Sequence, residues 1–261
     1  MMEMTYRRRT PMPEDSPSHY DRLAEQYDRN WAYSTEFIAW MTGHILDRLA
    51  LGAGERVADI GCGTGLYATG LAERAGTVLC VDPSAHMLAQ LPEDAVVQPL
   101  QVSAEEVAAG RVKLPYDQLD AVLIKEAIHH VRDPAAVLEG IGGLLAPEGR
   151  MLVVMLPARI EYPLFAAALE LFESLQPGPD SIAAAMRTAG LRVELRYEAF
   201  TLSFEKSRYL SMVRSRYMSL LSSFDDAQLE RGIAEIDARY PAERLTYRDR
   251  HAFILVERRL R

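Results

Sequence analysis

Long apolar runs, cysteine and excess positive charge are all scarce in this sequence, and each scarcity excludes a class of protein. The longest apolar stretches, such as Leu119–Ile124 and Met151–Leu156, fall far short of the roughly 20 residues a helix needs to cross a bilayer. Only Cys62 and Cys80 are present, too few for a disulfide framework, at a spacing that suits no zinc site and in numbers that fit a reducing cytoplasm. The net charge of -8 repels nucleic acid. Arg7, Arg8 and Arg9 are followed by no apolar stretch and so do not read as a signal peptide. There is no internal repeat and no low-complexity segment. The expectation is a soluble, cytoplasmic protein with a small-molecule substrate and neither nucleic acid nor membrane as partner; its oligomeric state is not legible.

What is present is the make-up of an ordinary globular chain, with 49% hydrophobic and 25% charged residues among 261. That length suits one large domain, or a core with a smaller cap. Residues 1–18 mix Pro, Arg and acidic residues and read as a tail. Apolar and aromatic residues then recur at helical spacing as far as Leu49, predicting N-terminal helices over 19–50. From 51 to 156 short apolar runs (Arg56–Ile60, Thr77–Val81, Ala95–Leu100, Leu119–Ile124, Met151–Leu156) alternate with helical patterns. This rhythm predicts an α/β fold, a parallel sheet with helices on both faces. Beyond Pro157 it changes, and 157–261 is expected to hold cap helices, one of them over Glu205–Leu221, a strand over Leu191–Phe204 and a last strand over Ala252–Glu257.

The segment Val57–Gly65 (VADIGCGTG) reads as a strand entering a tight glycine turn that opens a helix. Glycine suits such a turn because the backbone takes φ values other residues resist and a ligand can approach the main chain closely. A dinucleotide fingerprint reads G-x-G-x-x-G and seats a pyrophosphate on the helix N-terminus. Here the glycines stand at 61, 63 and 65, so the third comes one residue early, and Asp59 precedes them. A carboxylate there repels an anion and favours a cationic ligand end. Asp82 closes the following strand, where a carboxylate can accept two hydrogen bonds from a ribose diol.

Asp59-Ile-Gly-Cys-Gly-Thr-Gly65 and Val81-Asp82 resemble the first two motifs of the class I S-adenosylmethionine-dependent methyltransferases. The similarity extends through Leu119–Ile124 and Leu144–Arg150, over about residues 51–156. It implies a Rossmann-like seven-stranded, mostly parallel sheet of order 3-2-1-4-5-7-6 with an antiparallel last strand. It places the methionine end of S-adenosylmethionine at Asp59, Gly61, Gly63 and Gly65, and the ribose at Asp82. His19–Asp28 resembles the family's lid helix, which would bring Tyr20 and Tyr27 over the cofactor. Many members contact the adenine amine through an acidic residue after the third strand; this chain departs from that pattern, and Ser103 is the candidate. Lys125 follows the fourth strand, where the family often lets residues face the methyl group. His129 and His130 read as packing or capping residues, and Lys125 and Glu126 as a pair.

The acceptor is a separate question, because a fold does not fix it. On a helix over 205–221, Tyr209, Met212 and Arg216 share a face within roughly 40°, flanked by Arg208 and Ser219. Such a face offers donors for phosphate oxygens; it equally fits a solvated basic helix. Glu170 interrupts an apolar run beside Phe165, Leu169 and Phe172. A carboxylate at the edge of an apolar pocket can act as a base; at the rim of a helix it simply reaches water. Together with Trp31, Phe37 and Tyr217, these residues resemble the prenyl (geranyl) diphosphate C-methyltransferases. That resemblance implies alkene attack on the methyl group, deprotonation of a carbocation by Glu170, and a diphosphate held by Arg208, Tyr209 and Arg216 with Mg²⁺. The alternatives are an O- or N-methyltransferase of a secondary metabolite, with a histidine such as His129 nearby, a non-catalytic binding protein on the same scaffold, and a dehydrogenase.

Overall fold

A computed structural model describes residues 34–92 and 96–258. Its centre is a seven-stranded sheet of order β3-β2-β1-β4-β5-β7-β6. The first five strands are β1 (Val57–Ile60), β2 (Val78–Asp82), β3 (Val97–Gln101), β4 (Leu119–Lys125) and β5 (Leu145–Met155). All their mutual pairings are parallel, whereas β7 (Arg244–Glu257) runs antiparallel to both β5 and β6 (Arg192–Glu205). This is the order and the antiparallel last strand that the family resemblance implies. All four residues of β1 are buried, as expected of a central parallel strand covered on both faces.

Each face of the sheet carries its own apolar cluster. On one side lie α1 (Thr35–Leu49) and α2 (Ala68–Ala75), with α6 (Ala166–Leu175), α8 (Lys206–Arg214) and α9 (Asp226–Arg239) farther along the chain. On the other lie α4 (Ala104–Ala108), α5 (Pro134–Gly143) and α7 (Pro179–Thr188). A single turn, α3 (Ala85–Leu88), follows β2. The local sequence accounts for these helices. The Ser34 hydroxyl caps α1 by accepting from the Phe37 nitrogen, and Phe37, Met41, Ile45 and Leu49 recur every fourth residue on its buried face. Asp133 caps α5 with Pro134 behind it. Asp225 and Gln228 close a capping box on α9. Among the described residues no helix is long and apolar enough to cross a membrane.

Two expectations change. The helix predicted over 205–221 stops at Arg214, and a 3-10 turn over Ser219–Ser223 replaces its last stretch. Arg216 takes a left-handed φ of 55°, a backbone state no helix accommodates. The last strand begins at Arg244 rather than Ala252; its first half is hidden in the sequence because Asp249 and His251, polar residues 0% and 1% exposed on its buried face, interrupt the apolar pattern. The extra length pairs with β6 from Glu198 to Glu205, so the two strands form a ribbon past the carboxyl end of β5.

Candidate active site

The parallel strands β1, β2 and β4 all end on one edge, and the chemistry-bearing residues gather there. Gly61 and Cys62 donate from their backbone nitrogens to the Val81 carbonyl, which ties the turn after β1 to the end of β2. Gly61 has φ 75°, and a Cβ there would lie 2.3 Å from the Ala127 methyl, so the loop after β4 packs directly on this turn. Gly63, at φ 56°, differs: a Cβ there meets none of the described residues within 4 Å. Its bare backbone faces open space, a cradle a ligand can enter. The Asp82 carboxylate spans the turn, accepting from the Gly63 nitrogen (3.0 Å) through Oδ2 and from the Ser84 nitrogen (2.9 Å) through Oδ1.

Asp59 is 3% exposed and accepts no hydrogen bond from the described residues. Burial, reinforced by the nearby Asp82 and opposed by Lys125, pushes its pKa up to about 7. A buried carboxylate without a donor is costly unless a cation completes it. Lys125 caps β4 with its ammonium 5.2 Å from the Tyr67 ring centre. Asp82 is also shifted upward, first by burial, against the Ser84 and Gly63 N–H groups and His130. These groups suit the amino-acid end and the ribose of S-adenosylmethionine: an acidic recess for an ammonium, bare backbone, and a strand-end carboxylate.

The other expected site residues divide. Gly65 (φ 77°) packs against Leu91 and shapes the same turn. Ser103 is the N-cap of α4: its hydroxyl donates to Glu106 Oε2 and accepts from the Glu106 nitrogen. That capping duty engages both functions of the hydroxyl. His129 lies against His130 with ring centres 3.9 Å apart and planes tilted by 49°, and burial, then His130 and Lys125, hold its pKa well below the usual histidine range. Lys125 and Glu126 do not pair; Glu126 turns instead toward His251. Tyr20, Tyr27 and Trp31 lie outside the described residues.

The residues expected to hold a diphosphate each have protein neighbours. The Arg216 guanidinium donates to Asp226 (2.7 Å) and to the Phe224 carbonyl (3.1 Å). Tyr209 and Tyr217 are buried and bond one another hydroxyl to hydroxyl at 3.0 Å. Arg208 is exposed, 5.9 Å from the Phe204 ring centre, and Ser219 opens the 3-10 turn. Glu170 is exposed on α6. Phe165 packs edge-on against Phe224 at 4.9 Å, and Phe37 against Phe200 at 5.4 Å, both within the core. No cluster of three or more His, Cys, Asp or Glu able to hold a metal ion occurs among the described residues.

Sequence reasoning missed a polar cluster beside the turn. His251, 1% exposed, has Nε2 3.1 Å from Asp249 Oδ2 and Nδ1 3.6 Å from Glu126 Oε1. Asp249 is 0% exposed and accepts from the Tyr162 hydroxyl at 2.6 Å through Oδ1. Burial pulls the His251 pKa down, but the Asp249 and Glu126 carboxylates outweigh it and push it up to about 9, which favours the charged ring. Phe37 and Trp40 of α1 cover this ring at centroid distances of 6.0 and 6.4 Å. The residues lie far apart in the sequence; the one local signal was the polar alternation Tyr247, Asp249, His251 just before the apolar end of β7.

Comparison with known proteins agrees with this geometry. The methyltransferase domain family matches residues 58–153. The ubiquinone biosynthesis O-methyltransferase of Pseudomonas aeruginosa (strain LESB58) is 31% identical over 165 residues, covering 57% of this chain and 69% of that protein. Its namesake in Xylella fastidiosa (strain M23) is 28% identical over 219 residues, covering 70% of this chain and 87% of that one. Among solved structures, a putative methyltransferase from an antibiotic biosynthesis pathway of Anabaena variabilis superposes with a TM-score of 0.66 at 19% identity, over 83% of this chain and 96% of that one. The chain belongs to the class I Rossmann-like S-adenosylmethionine-dependent methyltransferases. It is an enzyme of that class, with S-adenosylmethionine as methyl donor.

Proposed function

We propose that the enzyme methylates an oxygen of a small hydroxylated molecule, with Asp59 taking the ammonium of S-adenosylmethionine, the backbone at Gly61, Gly63 and Gly65 lying along its methionine end, and Asp82 accepting from the ribose diol. The observation that carries the cofactor half is the open face of Gly63 between Asp59 and Asp82. The oxygen acceptor is supported by the O-methyltransferase names of the Pseudomonas and Xylella relatives.

When bound, S-adenosylmethionine supplies a methyl group on a positively charged sulfur, open to in-line attack. The protein's part is then to position the reactants and to handle one proton. Lys125, near Asp59 at the end of β4, is available for the methionyl carboxylate. The aromatic residues of α1, Phe37 and Trp40, exclude water from the adjoining polar cluster.

Carbon methylation of a prenyl diphosphate such as geranyl diphosphate is disfavoured: Arg216 is engaged by Asp226, Tyr209 and Tyr217 by each other, and Glu170 faces solvent. The deciding experiment incubates the enzyme and methyl-labelled S-adenosylmethionine with a panel of phenols and with geranyl diphosphate plus Mg²⁺. Label recovered as an aryl methyl ether supports the proposal. Label on prenyl carbon, abolished by a chelator, reverses it.

A further inference from the structure

The Glu126–His251–Asp249–Tyr162 cluster is polar and buried, and its construction is expensive. Four of its buried atoms, Glu126 Oε1, Asp249 Oδ2 and both ring nitrogens of His251, have close partners but no well-aligned hydrogen bond. Polar groups sealed in this way destabilise a fold unless they serve a bound molecule. Glu126 carries a second cost, a left-handed backbone at φ 51°, which a residue other than glycine adopts only under strain. Its nitrogen donates to the Val154 carbonyl at 2.8 Å, which pins the residue where β4 ends.

The placement of Glu126 is informative. It stands between Lys125, whose charge reaches Asp59, and Ala127, which abuts Gly61. Its Oε1 is sealed against His251, yet the side chain retains 19% exposure, so the carboxylate has one gripped side and one open side. The grip runs backward through the His251 ring to Asp249, and from Asp249 to the Tyr162 hydroxyl. Tyr217 and Tyr247 are close enough for the Asp249 charge to raise their pKa values, after burial. The other two carboxylates described at this turn are differently placed: Asp82 accepts from two backbone N–H groups, and Asp59 lies in the cofactor recess. His129 is kept neutral with little basicity, which makes it a weaker proton acceptor.

We propose that Glu126 receives the proton of a phenolic hydroxyl on the acceptor, and that His251 is the positioning residue that aims it. This rests on the hydroxyl-acceptor reading above. An aromatic alcohol is the fitting class because its hydroxyl ionises near pH 10, as tyrosine does, within reach of a positioned carboxylate. In the step, the O–H bond breaks and its proton goes to Glu126. The oxygen lone pair forms the new O–CH₃ bond while the carbon–sulfur bond breaks, its electron pair staying on sulfur to give a neutral thioether. Glu126 then releases the proton to solvent from its open side. His251 takes no proton in this step.

The test compares catechol with 4-nitrocatechol, which is largely ionised in mildly alkaline buffer and has little need of a base. Glu126→Gln is expected to slow methyl transfer to catechol by about 100-fold while changing transfer to 4-nitrocatechol by no more than about threefold. S-adenosylhomocysteine affinity, measured beside it, stays at the wild-type value. His251→Gln gives the same selectivity with a smaller loss. Equal losses on both acceptors in Glu126→Gln overturn the proton-transfer role, as does a selective loss in His129→Gln but not in Glu126→Gln. Transfer to neither acceptor by the wild-type enzyme, with cofactor bound, sinks the hydroxyl-acceptor reading first and this proposal with it.

Discussion

Asp82 reaches back across the glycine turn to accept a 3.0 Å hydrogen bond from the Gly63 nitrogen, so one carboxylate both closes the loop after β1 and stands at the end of β2. The turn is built before any ligand arrives. Its two central glycines serve different ends, and substitution should separate them.

Gly61→Ala puts a methyl group 2.3 Å from Ala127, at a φ that L-residues resist. The expected result is a loss of about 1–3 kcal/mol in stability, read by denaturant unfolding. Gly63→Val carries its side chain into open space. It is expected to fold at a cost of about 1 kcal/mol for the positive φ, but to bind S-adenosylhomocysteine at least about tenfold more weakly, since one lost close approach of about 1.4 kcal/mol is tenfold.

Asp59 gives a pH dependence whose sign is fixed. Its pKa rises from the unfolded value near 4 to about 7 in the native state. The native protein therefore holds the extra proton across that window, and cofactor-free stability falls as pH rises through it. Asp59→Asn should flatten this slope and raise the melting temperature at alkaline pH while abolishing cofactor binding. In the wild type, affinity for the cationic cofactor should rise up to about pH 7 and level off above, which titration calorimetry over that range checks.

Gly232 lies within α9 with the Phe165 ring against it; a Cβ there would sit 2.4 Å from the ring. Glycine to alanine inside a helix normally gains about 0.5–1 kcal/mol. Here the contact reverses the sign, and Gly232→Ala should lower the melting temperature. A raised one would show that α6 and α9 are not packed through this pair.

Arg216→Ala removes the ion pair with Asp226 and the bond to the Phe224 carbonyl. The expected outcome is a modest loss of stability, with methyl transfer to a phenol within about twofold of wild type, because surface pairs contribute at most about 1 kcal/mol. A large, specific rise in KM for a diphosphate acceptor would restore the prenyl reading.

The core was legible because it depends on short-range signals. Apolar runs alternating with helical patterns announced the parallel sheet, and the Gly61, Gly63, Gly65 spacing with Asp59 and Asp82 announced the turn. Ser103 shows a signal present but assigned elsewhere: Ser103-Ala-Glu-Glu106 is a capping-box sequence, and the structure uses it so. The cap was harder to read. A continuous helix over 205–221 satisfied periodicity, but burying Tyr209 and Tyr217 hydroxyl to hydroxyl required a break at Ser215–Arg216. The polar cluster was invisible for a different reason. Period-two reading expects apolar residues on the buried face of a strand, and β7 places Asp249 and His251 there, completed by Glu126 and Tyr162 from distant segments.

The most direct test of the account is calorimetric titration of the wild type, Asp59→Ala and Asp82→Ala with S-adenosylmethionine and, separately, NAD. One saturable site for S-adenosylmethionine in the wild type, none for NAD, and at least about tenfold weaker binding in both variants is predicted, the loss expected for a charged hydrogen-bond partner. Unchanged affinity in either variant, or saturable NAD binding without S-adenosylmethionine binding, would contradict it.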